Sequence, residues 1–129
     1  AHTGNIVDEV AMIDHPVIAM SGASPDGLID NDGLIEIKCP NSATHIKTML
    51  SGKPDSKYIT QMMWQMACTG RKWCDFASFD PRFPAHLQLF VKRIDRDDAL
   101  IAELEASVSE FLDEVAAMVF QLNNMKEAA

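Results

Sequence analysis

Hydrophobic positions fall into short alternating runs up to residue 92 and into one long helical stripe after it. Val17-Ile18-Ala19-Met20, after Pro16, is a short apolar run that reads as a buried strand. Gly27-Leu28-Ile29 and Leu34 to Lys38 flank Asp30-Asn31-Asp32-Gly33, which is strong turn chemistry, so the pair predicts a hairpin. Side chains of a strand alternate faces. Ile35 and Ile37 therefore point into a core, while Leu34, Glu36 and Lys38 point the other way. Pro40 breaks this strand, and Asn41 or Ser42 can cap a helix over residues 43–50. A second helix covers residues 56–69 and stops at Gly70. Trp73 to Phe79 alternates as a strand, and so does the stretch from Leu87 to Lys92. Asp97 opens a helix whose apolar residues, Leu100 to Leu122, keep helical spacing. The order predicts an α+β fold, a mixed sheet flanked by helices.

With 129 residues, 47% hydrophobic and 23% charged, the chain reads as a single globular domain spanning 1–129. It has no apolar run long enough for a membrane and no basic-then-apolar leader. Ala1-His2-Thr3-Gly4 reads as an excision or tag scar, with the natural protein extending upstream. Cys39, Cys68 and Cys74 are an odd set without CxxC spacing, which suits reduced thiols in a cytoplasm better than disulfides or zinc. The net charge of -8 argues against nucleic acid until its distribution is read. Residues 1–37 carry seven acids and no Lys or Arg; residues 38–93 carry nine Lys or Arg against three acids; residues 94–129 carry nine acids against two bases. A basic middle can offer a positive face to phosphate, or be an ordinary solvated surface.

Asp26 stands at the entry of the hairpin and can converge on Glu36 and Lys38. Two carboxylates and the backbone carbonyl of Ile37 make an oxygen-rich pocket of the kind that hard cations such as Mg²⁺ prefer. The lysine can orient or deprotonate the attacking water, or stabilise charge developing on a phosphate. By itself the set also reads as an edge-strand ion pair facing solvent beside a turn aspartate. On the helix over 56–69, Tyr58, Gln61, Met62 and Gln65 share one face.

The order "HP" (15–16), "SPDG" (24–27), "LIEIKCP" (34–40), "YITQ" (58–61) and "FDPR" (79–82), with an acidic terminal helix, resembles the lambda exonuclease / YqaJ-like viral recombinase family of PD-(D/E)xK nucleases. The resemblance implies a restriction-endonuclease-like core. It implies Mg²⁺-dependent (Mn²⁺ possible) digestion of double-stranded DNA from a 5′ end, exposing single strands for recombination. Asp26 and Glu36 would be metal ligands, Lys38 the lysine that activates water, and Gln61 the glutamine beside it. Tyr58, Gln65, Lys53 and Lys57 would face the substrate. The family assembles as a ring of three subunits around DNA and works with a single-strand annealing protein in a bacterial or prophage setting. It also carries an upstream helical region, which this chain would lack. Asp14 is either a further metal ligand or a surface acid. A sequence- or structure-specific endonuclease and a non-catalytic DNA-binding module are the competing readings.

Overall fold

The computed structural model describes residues 7, 8 and 12–128. The reading of Ala1 to Gly4 falls outside them. The elements are β1 (Val7–Asp8), β2 (Ile13–Asp14), β3 (Gly22–Ala23), β4 (Gly27–Ile29), β5 (Gly33–Lys38), α1 (Ser42–Ser51), α2 (Ser56–Thr69), β6 (Trp73–Phe79), β7 (Leu89–Asp95) and α3 (Asp98–Ala128). One sheet runs β1-β4-β5-β6-β7, and β2-β3 form a small second one. β5 and β6 are parallel, whereas β4 to β5 and β6 to β7 are antiparallel. A parallel pair needs a long crossover, which α1 and α2 supply. The fold is the α+β class that the pattern predicts. The helix α3 forms a second unit. On it Phe111, Val115, Met118, Leu122 and Met125 recur at alternating four and three residues and are exposed.

Both crossover helices start and stop where side-chain chemistry dictates. The Asn41 side chain accepts the Thr44 N–H at 2.8 Å and the Asp55 side chain accepts the Lys57 N–H at 3.0 Å, relieving unpaired donors at each first turn. Gly52 and Gly70 end the helices with φ of 70° and 72°, a left-handed conformation that only glycine adopts cheaply. Met62, Met66, Leu34 and Cys74 are fully buried between α2 and the sheet. Large apolar side chains of this kind contribute roughly 1.5–3 kcal/mol each.

Two expectations are corrected. The core face of β5 is the one carrying Leu34 and Glu36, which are 0% and 3% exposed, while Ile37 is 50% exposed. α2 covers that face, through Gln65 on Glu36 and Tyr58 on Phe76. Val17 to Met20 form a turn between β2 and β3. His15 Nδ1 accepts the N–H groups of Val17 and Ile18 at 3.1 and 2.9 Å, and Met20 takes φ 62°. A chain curled onto a side chain cannot also pair as a strand. His15 is thus a structural histidine, stacked on Trp64.

Buried polar residues lock α1 to β6. His45 is fully buried, and its Nε2 lies 2.8 Å from the Leu87 carbonyl, which can only accept. Nδ1 then accepts from the Ser78 hydroxyl at 2.7 Å. Asp80, also fully buried, takes two bonds from the Arg82 guanidinium and one from Ser42. The Arg82 hydrogen bonds, against the opposing effect of burial, hold the Asp80 carboxyl well below the usual carboxylate range. A depressed folded pKa gives stability that is present above the unfolded value, about 3.9, and is lost as pH falls through the folded one. Asp80→Asn should therefore lower the Tm at neutral pH and flatten its fall below about pH 4. An unchanged acid limb in a thermal melt series would show that the pair does not carry this stability.

Candidate active site

β4 and β5 bring the carboxylates to one end of the sheet. Asp26, just before β4, accepts the Ile37 N–H on its Oδ2 at 2.6 Å. The ladder has run out there, since β4 and β5 pair from Gly27↔Ile35 to Ile29↔Gly33. A strand residue sends its N–H and C=O to the same edge. The Ile37 carbonyl therefore leaves β5 on the Asp26 side.

Glu36 is 3% exposed and held at both oxygens. Oε1 lies 2.8 Å from Lys38 Nζ, and Oε2 accepts from Gln65 Nε2 at 2.8 Å. Alternation along β5 puts Glu36 and Lys38 on one face, and α2 brings Gln65 to the same place. Burial alone would lower the Lys38 pKa. The hydrogen bond to Glu36, with the charges of Glu36, Tyr58 and Asp26, more than offsets it and holds the ammonium above the ordinary lysine value. The Tyr58 ring stacks on Phe76 at 5.7 Å between centroids, and Lys38 Nζ and Lys57 Nζ each lie 5.0 Å from its centre. Such a ring favours cations at its face.

The structure therefore brings Asp26, Ile37, Glu36 and Lys38 together. It treats α2 differently from the sequence. Gln65 is 3% exposed, and its amide donates to Glu36. Its Oε1 is buried without a hydrogen-bond partner. Tyr58 is half-buried, its ring against Phe76 and the two lysines. Gln61 is exposed and its side chain makes no hydrogen bond to the described residues, so nothing ties it to Lys38 here. The buried side of α2 is centred on Met62, Gln65 and Met66, and Gln61 lies at its rim. Asp14 is exposed on β2, opposite Gly22.

Three bases of the middle segment are spent on the fold. Arg71 binds the carbonyl of Asp30 at 2.7 Å, Arg82 binds Asp80, and Arg93 makes two bonds to the buried Asp75 and lies 3.6 Å over Trp73. The signal for the last pair was opposite charge at directly paired positions, Asp75↔Arg93. Lys47, Lys53, Lys57, Lys72 and Lys92 remain exposed.

The donor set suits a hard divalent cation. It offers carboxylate and carbonyl oxygens at a buried glutamate, and the Lys38 ammonium already occupies the cation-seeking side of Glu36. Among the described residues no group of three His, Cys, Asp or Glu side chains forms, so solvent or substrate oxygens would complete the shell. No described helix is long and apolar enough to cross a membrane.

A family model, the YqaJ-like viral recombinase domain, matches residues 1–72. No curated protein matches the sequence. Among solved structures, an alkaline exonuclease (LHK-Exo) from Laribacter hongkongensis is 60% identical, over 95% of this chain and 63% of that one, with a TM-score of 0.94. LHK-Exo in complex with dAMP is 58% identical, over 99% of this chain and 66% of that one, at 0.96. A phage related exonuclease from Haemophilus somnus 129PT shares the fold at 13% identity and a TM-score of 0.64. The chain spans less than two thirds of either LHK-Exo chain. With the family model covering more than half of its residues and the carboxylates and lysine of its motif gathered on one hairpin, the chain belongs to the YqaJ-like viral recombinase domain family.

Proposed function

We propose that the chain is the core of a Mg²⁺- or Mn²⁺-dependent deoxyribonuclease, a phage-type exonuclease that digests double-stranded DNA from a 5′ end. The supporting observation is Glu36, buried and held between Lys38 and Gln65 beside Asp26. An alkaline exonuclease with 60% identity points the same way. A divalent cation held by Asp26, Glu36 and the Ile37 carbonyl would supply Lewis acidity and neutralise phosphate charge. Lys38 places a fixed positive charge where a scissile phosphate gains negative charge. Such preorganised groups need no reorganisation during the reaction. Gln65 holds the Glu36 carboxylate, and the Tyr58 ring supports Lys38. Gln61, at the exposed rim, can orient water or substrate. Lys53 and Lys57 lie on the DNA side.

The family also supports a ring of three subunits around DNA, a partner that anneals the exposed strand, and a bacterial cytoplasm. The test is digestion of linear and of closed circular duplex by the full chain, with Mg²⁺, Mn²⁺ or EDTA. Metal-dependent loss of the linear form alone is expected. Nicking of the circle would favour an endonuclease, and DNA binding without cleavage a non-catalytic module.

A further inference from the structure

A groove lies beside this centre, between one face of α1, the loop after it and the first turn of α2. It encloses about 640 Å³, room for a few nucleotide-sized groups rather than a macromolecular interface. Lys47, Lys53 and Lys57 stand on its walls, in a chain of net charge -8. Lys47 and Lys53 form no ion pair among the described residues. The one acid of the lining, Asp55, is committed to capping α2 through the Lys57 N–H. The rest of the wall is mostly hydroxyls and prolines, with Asn41, Tyr58 and Ile59.

Tyr58 ends the groove. Lys57 and Lys38 each lie 5.0 Å from the centre of its ring. Cations therefore continue from the groove to Glu36 by way of Tyr58. The face of α1 from Thr44 to Ser51 spans about 10 Å at 1.5 Å per residue, the axial length of about three phosphates of one strand. No aromatic ring in the lining is free to stack on a base, since Tyr58 is packed on Phe76.

We propose that this groove binds the sugar–phosphate backbone of a DNA strand, without base recognition, and delivers that strand past Tyr58 to the Asp26–Glu36 centre. The strand it takes is the one being cut. This deepens the nuclease reading and rests on it. The test is equilibrium binding of a fluorescein-labelled blunt duplex to the full chain in EDTA, read by anisotropy against salt. In Lys47→Gln/Lys53→Gln the log–log salt slope should fall by about 1.8, at 0.9 per lost phosphate contact. Lys92→Gln, an exposed lysine outside the groove, should leave the slope unchanged. About three neutral methylphosphonates near the 5′ end of one strand should weaken wild type several-fold and the double variant much less, because they delete the same contacts. An unchanged slope in the double variant, or equal losses in both proteins, would overturn the proposal, and so would coupling to the opposite strand alone. Because metal is absent, these readings do not depend on the catalytic centre. Failure of the nuclease reading would appear instead as absence of metal-dependent cleavage with the groove binding intact.

Discussion

Glu36→Gln should reduce DNA hydrolysis by about 10³-fold or more while the protein stays folded. A divalent cation contributes several kcal/mol to such a reaction, and each 1.36 kcal/mol is tenfold in rate. The amide keeps the shape of Glu36 but cannot hold a cation as a carboxylate does. Its oxygen can still accept from Lys38. Its NH₂ would face the Gln65 NH₂, and a rotation of Gln65 presents the Oε1 that now lacks a partner. Glu36→Ala is a different experiment. It strands the buried Gln65 amide and removes the counter-charge of Lys38, so a stability loss of about 1–3 kcal/mol should accompany the loss of activity. Asp26→Asn should match Glu36→Gln in activity and lose less stability, since Asp26 is exposed and its amide oxygen can still accept the Ile37 N–H. Initial rates on linear duplex with saturating Mg²⁺, beside thermal melts, decide this. Digestion within tenfold of wild type by Glu36→Gln would show that Glu36 is not a ligand.

Sequence patterns located this site better than they oriented it. Alternation correctly separated Glu36 and Lys38 from Ile35 and Ile37. It assigned the apolar pair to the core because isoleucine is the more apolar residue, whereas burial is decided by what packs above. The helix that covers β5 arrives twenty residues later and brings a glutamine with its methionines. The charged face is therefore the inner one, and Ile37 is half exposed. Helix ends were legible because their causes are local: a capping side chain at Asn41 and Asp55, a left-handed glycine at Gly52 and Gly70. Val17 to Met20 misled because apolar runs say nothing of a histidine two residues earlier that captures their N–H groups. On α2, Gln61 and Gln65 fall on similar helical angles, and only the tilt of the helix over the sheet decides which one meets Glu36. The basic middle overstated the free charge, since Arg82 and Arg93 answer Asp80 and Asp75. Of the two, only Asp75 and Arg93 sit on different strands, and register, not composition, reveals that.

Lys38→Gln should lower turnover by about 10² to 10⁴, as expected when a proton-transfer or electrostatic group is lost. Metal binding separates the two roles a lysine could have at this position. Its ammonium lies 2.8 Å from the Glu36 carboxylate, on the oxygen that a cation would seek. A lysine there competes with the metal for Glu36 and repels it, so removing the charge should leave Mn²⁺ affinity unchanged or tighter. Tyr58→Leu should act in the same direction but less strongly, by about tenfold. It removes the ring face that steadies the ammonium without removing the ammonium itself. Tyr58→Phe, which keeps that face, should retain most activity and so separate support of Lys38 from any role of the hydroxyl. Single-turnover rates on a 5′-labelled duplex give the chemical step, and calorimetric titration with Mn²⁺ gives the affinity. Loss of Mn²⁺ binding in Lys38→Gln would mean that the lysine organises the ligands, and full activity in Tyr58→Leu would mean that Glu36 alone positions it.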